Sequence, residues 1–244
     1  MMKQSISRLC TAILPLLFAG FFIGCDSSTS EPEPPTVLIV GGHDYHDFDR
    51  WYDQEDSAII AETGATVSYT DELETILPQL DDLDILYLSN NQLMTDPELH
   101  RAIEEFVAAG NGLIIGHAAG WNLWRDAWPE YYSDFIGGST SSHPPVGEFE
   151  VYLTDESHPI MDGVPSSFRI IDELYRFSRD ESGAEMNVLA MAVENEDAEY
   201  PAIWTVEYGE GDVVNITLGH DGESHQHEAY ITFLKNTIHW LNGQ

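Results

Sequence analysis

Cysteine is nearly absent from this sequence. The 244 residues include two cysteines, Cys10 inside an apolar N-terminal segment and Cys25 at its end. The chain that follows has no thiol, so it cannot form a disulfide, supply a thiolate ligand to a metal or attack a substrate through sulfur. Any metal must therefore be held by histidine and carboxylate side chains.

Basic residues are also scarce. Nine lysines and arginines stand against 43 acidic residues, which gives a formal net charge of -34. Binding to nucleic acid or to an anionic membrane surface needs clustered positive charge, so neither is a predicted partner. The sequence also lacks a Gly-x-Ser-x-Gly motif, and a serine hydrolase of the α/β-hydrolase type has no support.

The first 25 residues have the pattern of an export signal. Lys3 and Arg8 precede the apolar stretch 12–24, which is too short to remain as a membrane span. The stretch ends in a sequence resembling a bacterial lipobox, which implies lipid attachment at Cys25 and a location in the cell envelope. An ordinary cleaved signal with a chance cysteine is the alternative. Residues 26–35, rich in Pro, Ser and acid, are typical of a flexible tether.

The remaining residues, 36–244, are predicted to form one α/β domain. A hydrophobic content of 43% and an aromatic content of 11% suffice for one substantial core. Strands alternate with helices in the first part, which favours a parallel sheet with helices on both faces. The predicted elements of this part are strands 36–41, 66–70, 83–89 and 112–116 and helices near 49–63 and 96–109. The C-terminal part is strand-rich, with strands at 149–154, 168–177, 187–193, 201–206 and 212–218 and a final helix at 226–242.

The segment Gly-Gly-His-Asp-Tyr-His-Asp-Phe, residues 41–48, directly follows the first predicted strand. Ligands bind at the carboxyl ends of the strands in this fold class, so the position favours a site. The alternative is that His43 and Asp44 cap the first helix. If the segment is a site, His43 or His46 must approach side chains that follow the other parallel strands.

His117 follows the fourth predicted strand in Gly-Leu-Ile-Ile-Gly-His-Ala-Ala-Gly, residues 112–120. A reactive side chain between small residues after an apolar strand is typical of a nucleophile elbow, which would expose the imidazole at the top of the sheet. Further polar blocks lie downstream. They are a Gly-Gly pair followed by His143-Pro144, then Asp172-Glu173-Leu174-Tyr175, Trp204 with Tyr208-Gly-Glu-Gly211, and Gly219-His220-Asp221.

In this order, the blocks resemble the ThuA-like family, named for trehalose utilisation, over about residues 36–242. The resemblance implies an α/β, flavodoxin-like fold similar to that of class I glutamine amidotransferases, which carry a catalytic Cys at the elbow and a catalytic His after a late strand. His117 and His220 occupy those two positions here. Amidotransferase chemistry is excluded because the thiol is missing. Asp212 is a departure, since a basic residue commonly follows the second glycine in the family.

The residues themselves support two kinds of chemistry. Imidazoles with a carboxylate suit a divalent ion such as zinc, for which His43, His117 and His220 are the candidate ligands. Alternatively, His117, His220 and Glu173 could act as catalytic acids and bases without a metal, because the ordinary histidine pKa lies near neutral pH. The sequence leaves both open.

Seven further positions are candidates for substrate binding: His43, His46, Trp121, His143, Asp172, Tyr175 and Asp221. Trp121 could stack on a sugar ring, although it shares helical spacing with Trp124, Trp128, Tyr131 and Tyr132, a pattern more typical of a core. Asp172 and Glu173 could instead cap a helix or pair with Arg176. Three other histidines are predicted to have no functional role: His100 on the surface, His158 in a structural turn and His239 in packing.

The family resemblance implies a small-molecule carbohydrate ligand, namely a disaccharide or its keto derivative, processed by hydrolysis or isomerisation. A non-catalytic sugar-binding or scaffolding lipoprotein is the alternative. The acidic excess predicts a protein of a saline habitat that is more stable in molar salt than in dilute buffer.

Overall fold

The computed structural model of the protein describes residues 33–243. The predicted signal peptide, the lipidation site Cys25 and most of the 26–35 tether lie outside the described residues. Within residues 33–243, none of the helices has both the length and the apolar character needed to cross a bilayer.

The N-terminal part alternates strands and helices, as the sequence predicts. Its strands are β1 (Thr36–Val40), β2 (Thr66–Thr70), β3 (Ile85–Leu88) and β4 (Gly112–Ile115). Its helices are α1 (Ser57–Ala61), preceded by a π-helical segment at Asp49–Asp56, and α2 (Pro97–Ala108). Short 3-10 turns occupy Leu73–Thr75, Leu77–Asp82 and Ala118–Gly120.

The C-terminal part is strand-rich. Its strands are β5 (Gly138–Thr140), β6 (Gly147–Leu153), β7 (Ser167–Asp172), β8 (Phe177–Arg179), β9 (Asn187–Asn195), β10 (Ala198–Tyr208) and β11 (Gly211–Ile216). A π-helical segment at Tyr131–Ile136 precedes β5, a 3-10 turn at Pro159–Met161 precedes β7, and α3 (Gly222–His225) and α4 (Glu228–Asn242) follow β11.

Nine strands form one mixed sheet in the order β2-β1-β3-β4-β11-β10-β9-β6-β7. The first five of these strands are parallel, and the remainder pair antiparallel. The order 2-1-3-4 followed by a late strand is the flavodoxin-like order, in which successive strands are added on one side of β1 and then on the other, so that the topological switch point lies between β1 and β3. The predicted α/β fold, with a parallel sheet and a strand-rich C-terminal part, is confirmed. Strands β5 and β8 form a separate antiparallel ribbon.

Each face of the parallel strands has its own apolar core. On one face, Val37 and Ile39 of β1 pack with residues of α1 and α4. On the other face, Leu38 and Val40 pack with α2 and the segment Tyr131–Ile136. Because successive strand residues point to opposite faces, a strand covered on both sides must be apolar throughout, as β1 and β3 are.

Helix α2 begins as its sequence predicts. The Asp96 side chain accepts a hydrogen bond of 2.9 Å from the Glu98 backbone N–H, and Pro97 takes the first helical position, where no N–H is needed. The predicted continuous strand 168–177 is wrong, however. It is divided into β7 and β8 by residues 173–176, and this break contributes two side chains to the site described below.

Candidate functional site

A cavity of about 670 Å³ opens at the carboxyl ends of the parallel strands. Loops that follow β1, β3, β4 and β11 contribute to its lining, and so does the segment between β7 and β8. The lining residues are His43, Asp44, Tyr45, His46, Asn91, Leu93, Ala118, Trp121, Leu123, His143, Glu173, Tyr175 and His220. The cavity therefore lies at the edge of the sheet where this fold class binds ligands.

Three histidines from three of these loops meet at the cavity. Ring nitrogens of His46, His117 and His220 all lie within 4.8 Å of one another. The ring centroids are separated by 5.3 Å between His46 and His117, 5.0 Å between His46 and His220, and 5.4 Å between His117 and His220. Among the described residues, no hydrogen-bond partner is found for either nitrogen of His46, for Nε2 of His117 or for Nδ1 of His220, although all four atoms are buried.

His117 is held in one tautomer by the backbone. Its Nδ1 lies 2.6 Å from the carbonyl oxygen of Thr217, and because a carbonyl can only accept, Nδ1 carries the proton and donates. Nε2 is then free to offer its lone pair toward the other two histidines. The ring is fully buried, and the backbone φ of -41° is ordinary for a helix start. The elbow position is thus as predicted, but the exposed, strained geometry of a nucleophile elbow is absent at His117.

Glu173 joins the histidines through both carboxylate oxygens. Its Oε2 lies 3.4 Å from His117 Nε2 and 3.4 Å from His220 Nδ1, and its Oε1 lies 3.1 Å from His143 Nδ1. Burial opposes ionisation of the carboxyl, but the facing His117 and His220 outweigh this and hold the pKa of Glu173 below its usual range. The carboxylate is therefore negative at neutral pH and lies against the histidine cluster.

The pKa values of His46 and His220, the two partly exposed histidines of the cluster, are shifted in opposite directions. Burial, together with repulsion from His117 and His220, lowers the pKa of His46 to about 3. The carboxylate of Glu173 raises the pKa of His220 despite partial burial. At neutral pH His46 is consequently uncharged, which is the form that binds a metal.

Asp172 fixes the loop that carries His220. Its Oδ2 accepts from the Gly219 N–H at 2.8 Å, and its Oδ1 accepts from the N–H groups of His220 at 3.2 Å and Glu173 at 2.7 Å. The side chain is fully buried and does not line the cavity. The prediction that Asp172 contacts substrate is corrected, because its oxygens are directed to backbone donors.

Gly219 also joins a second buried network, through its carbonyl group, that was not predicted from the sequence. The Gly219 carbonyl accepts from Tyr52 Oη at 2.7 Å and lies 3.0 Å from His225 Nε2. His225 Nδ1 lies 2.7 Å from Asp56 Oδ1. Both His225 nitrogens face acceptors, so the ring carries two protons, and Asp56 raises the pKa of His225 against the opposing effect of burial.

Two tyrosines complete this network. The hydroxyls of Tyr87 and Tyr230 each lie 3.0 Å from Asp56 Oδ2 and donate to it. One signal in the sequence could have revealed the cluster: Asp56 shares helical spacing with Tyr52, Ile59 and Ile60, so a carboxylate falls on the apolar face of this helix.

Two predicted site residues lie away from the histidine cluster. His43 has a φ of 85°, and Nδ1 of its half-exposed ring lies 3.2 Å from Asp44 Oδ2. It lines the cavity mouth. The position beside His117 that was predicted for His43 is occupied by His46. Asp221 does not line the cavity; its side chain accepts from the Glu223 N–H at 2.9 Å and caps α3. The predicted roles of His43 as a metal ligand and of Asp221 in substrate binding are therefore corrected.

Two aromatic side chains, Trp121 and Tyr175, form an aromatic wall of the cavity beside the polar floor made by His117, His220 and Glu173. The Tyr175 ring lies 4.3 Å from that of His117, and the Trp121 ring lies 5.2 Å from Tyr175 and 5.1 Å from His143. Trp121 is thus placed at the cavity, as predicted, whereas its neighbours in the aromatic series are core residues. These are Trp124, Trp128, Tyr131 and Tyr132.

The other predictions for single residues have mixed outcomes. His100 is buried rather than on the surface, because its ring stacks on Trp128 at 4.2 Å and its Nε2 lies 3.0 Å from the Met94 carbonyl oxygen. His158 has the structural role that was predicted, since its Nδ1 accepts a hydrogen bond of 3.3 Å from the Ile160 N–H and caps the turn Pro159–Met161. Arg176 pairs with Glu194 and not with the Asp172-Glu173 pair.

The family model ThuA, described as trehalose utilisation, matches residues 36–241. The chain belongs to the ThuA family. This agrees with the resemblance inferred from the sequence blocks and associates the protein with sugar utilisation. No curated protein matches the sequence.

Solved structures with the same fold include two ThuA-like proteins. One from Parabacteroides merdae is 21% identical, with a TM-score of 0.72, and the match covers 86% of this chain and 90% of that one. One from Bacteroides uniformis is 17% identical, with a TM-score of 0.71, covering 88% and 94%. A β-galactosidase from Bacillus circulans sp. alkalophilus matches at a TM-score of 0.56 and 12% identity, over 86% of this chain but 31% of the enzyme. At these identities, the likeness to each structure concerns the fold alone.

Proposed function

We propose that this ThuA-family protein is a carbohydrate-processing enzyme acting on disaccharides or their keto derivatives, by hydrolysis or isomerisation, with a divalent cation such as zinc. The observation that carries the proposal is the meeting of His46, His117 and His220 beside Glu173. Four buried imidazole nitrogens of these histidines make no hydrogen bond of good geometry in residues 33–243, and the contacts of two of them with Glu173 are long, at 3.4 Å. Buried polar atoms are costly when unpaired, so a missing ligand at this point is the simplest explanation.

The residues fit such a cation. Three imidazoles are a recurring ligand set for catalytic zinc, which leaves one position for water or substrate. His46 is uncharged at neutral pH, and the Thr217 carbonyl fixes His117 in the tautomer whose Nε2 can bind. When bound, the cation would act as a Lewis acid on a carbonyl or hydroxyl oxygen of the sugar.

The surrounding side chains supply proton transfer and orientation. Glu173 is ionised and lies against the cluster, so it is the candidate general base. His143 is partly exposed and lies 3.1 Å from Glu173, where it can pass a proton between that carboxylate and solvent. Trp121 and Tyr175 present aromatic surface on which a sugar ring can stack.

The charge of the cavity favours a neutral sugar. Of residues 33–243, Asp44 and Glu173 are acidic members of the cavity lining, and no lysine or arginine belongs to it. Sugar phosphates and acidic sugars are most often held in proteins by arginine, and beyond the proposed cation this lining offers no such side chain. A neutral disaccharide or keto-sugar therefore fits this site better than its phosphorylated counterpart.

The test compares two histidines of the same loop. Purified protein should retain about one equivalent of zinc, and calorimetric titration with Zn²⁺ should show that His46→Ala lowers affinity at least about ten-fold while His43→Ala leaves it unchanged. His43 is the matched control because it lies three residues away at the cavity mouth. Equal affinities for wild type and His46→Ala, or no binding by wild type, would contradict the metal site.

Turnover is tested separately with a panel of neutral disaccharides and their keto derivatives. Glu173→Gln should abolish product formation, whereas Glu148→Gln, which removes a carboxylate paired with Arg169 on β7, should not. A second candidate function, sugar binding without turnover, is favoured by the aromatic wall of Trp121 and Tyr175. Binding of the panel with no product from the metal-loaded protein would select that alternative.

The proposed function includes a location at the cell envelope. Its support is the lipobox-like sequence ending at Cys25 and the tether-like composition of residues 26–35. A lipid on Cys25 would hold the domain at the membrane surface with the cavity accessible to extracytoplasmic sugars.

A further inference from the structure

Large apolar side chains are exposed together at the mouth of the cavity. Among residues 33–243, six large hydrophobic residues are exposed: Tyr45, Leu77, Leu93, Leu123, Val146 and Ile171. Three of the six, Tyr45, Leu93 and Leu123, line this one cavity, with exposures of 90%, 64% and 37%. Single exposed apolar residues are ordinary, but their grouping at the mouth of a pocket marks a binding surface.

These three side chains reach the mouth from different parts of the fold. Tyr45 follows β1, Leu93 follows β3 and Leu123 lies beyond β4. They continue inward to Trp121 and Tyr175, which adjoin the histidine cluster. The cavity thus has a polar floor at His117, His220 and Glu173 and an apolar outer wall.

Tyr45 holds its place at an energetic cost. Its φ of 79° is in the left-handed region, where a bulky side chain is strained and glycine would be tolerated. The ring nevertheless stands in solvent at the cavity mouth. A strained, exposed aromatic beside a pocket is typical of a ligand contact.

Several polar groups at the mouth contact one another, although Asn91 Oδ1 has no hydrogen-bond partner in residues 33–243. His43 Nδ1 lies 3.2 Å from Asp44 Oδ2, and Asn91 Nδ2 donates to the Asp44 carbonyl at 2.5 Å. A second sugar ring bound there would find Asn91 Oδ1 as an acceptor for one hydroxyl, but its other side would face the exposed apolar side chains. An apolar group would instead cover Leu93, Leu123 and Tyr45 and remove their surface from water.

We propose that the cavity also accepts a neutral glycoside in which an apolar aglycone, such as an aryl group, takes the place of the second ring of a disaccharide and lies against Tyr45, Leu93 and Leu123. The sugar then lies over Trp121 and faces the histidine cluster. This inference rests on the proposed function, since it assumes that a sugar occupies the cavity, and it makes the mouth residues determinants of specificity.

The experiment measures binding of methyl and phenyl D-glucopyranosides, in both anomeric forms, and of trehalose to the zinc-loaded protein. The phenyl glycoside should bind at least ten-fold more tightly than the methyl glycoside of the same anomer. Leu93→Ser and Leu123→Ser should each reduce this preference, and the double variant should reduce it further, while affinity for the methyl glycoside stays unchanged. Leu77→Ser is the matched control, because Leu77 is exposed by the same 37% as Leu123 but does not line the cavity.

The outcomes separate this inference from the proposed function. If methyl glycosides or trehalose bind but phenyl glycosides bind no more tightly, the apolar-aglycone inference is overturned and sugar binding stands. A phenyl preference that is unchanged in the double variant, or that falls equally in Leu77→Ser, also overturns it. If none of the sugars binds, the proposed function itself fails.

Discussion

The backbone carbonyl of Thr217 determines how His117 can act. Because it accepts a hydrogen bond from the Nδ1–H group, it leaves Nε2 as the only nitrogen of this ring that can bind a cation. The same loop carries His220 three residues later. One loop therefore sets the tautomer of His117 and the position of His220. The Thr217 carbonyl is thus an outer contact that orients a candidate ligand without touching the cation itself.

Asp56 is expected to be essential for the stability of this arrangement. It is fully buried, and Asp56→Asn would leave the doubly protonated His225 without its counter-charge. Breaking a buried pair by removing one partner costs about 3–5 kcal/mol. Unfolding in urea should show a loss of this size for Asp56→Asn, and the double variant Asp56→Asn/His225→Gln should be less destabilised than the single one.

The effect of Asp56→Asn should depend on pH in a direction fixed by His225. Asp56 raises the pKa of His225 above the ordinary value of 6.5, so the pair stabilises the fold fully below that pH and less as pH rises through the folded-state pKa. The difference in unfolding free energy between wild type and Asp56→Asn should therefore shrink in alkaline solution. A difference that is constant or grows above pH 6.5 would rule out a protonated His225.

The choice between His43 and His46 could not be made from the sequence. Both follow β1, and the topology alone requires that this loop lie near those carrying His117 and His220. What selects His46 is backbone direction: His43 and Tyr45 both have positive φ, at 85° and 79°. Glycine and asparagine are the stronger sequence signals of such conformations, whereas histidine is a weak one and tyrosine gives none.

At the scale of elements, the predictable features were those that depend on apolar runs. Strands β1, β3 and β4 are fully buried or nearly so, and their continuous hydrophobic sequences locate them without tertiary information. Once the parallel order is assumed, the meeting of loops at their carboxyl ends follows. The break after β7 could not be predicted in this way, because Asp172 is directed toward the Gly219 and His220 N–H groups, which are distant in sequence.

Helix α3 provides a test of the corrected role of Asp221. Its side chain caps the helix, so Asp221→Ala should destabilise the protein by about 1 kcal/mol and Asp221→Asn should largely restore stability. Zinc affinity and sugar binding should be unaffected in the asparagine variant. Asp96→Ala, which removes the equivalent cap of α2 far along the chain, is the control for the cost of a lost cap. Loss of sugar binding in Asp221→Asn would restore the original prediction of substrate contact.

At the scale of the whole molecule, negative charge greatly exceeds the available counter-charge. The segment 1–24 contains two basic residues and no acid, so the chain from residue 25 onward has 43 acidic and seven basic residues, a formal charge of -36. Few of these acids have a cation beside them. The pairs formed by Arg101, Arg169, Arg176 and Lys235 engage one carboxylate each. Self-repulsion of the remaining carboxylates opposes the compact state.

Salt should therefore stabilise the protein. The Debye length falls from about 10 Å at 0.1 M to about 3 Å at 1 M ionic strength, so repulsion between separated carboxylates is largely screened in molar NaCl. We expect Tm at pH 7 to rise between 0.1 and 1 M NaCl. The control is the same measurement near pH 4.2, the isoelectric point calculated from the sequence, where the net charge is close to zero and the rise should largely disappear. If Tm is flat or falls with salt at pH 7, or rises equally at both pH values, screening of carboxylate repulsion is not what stabilises the fold in salt.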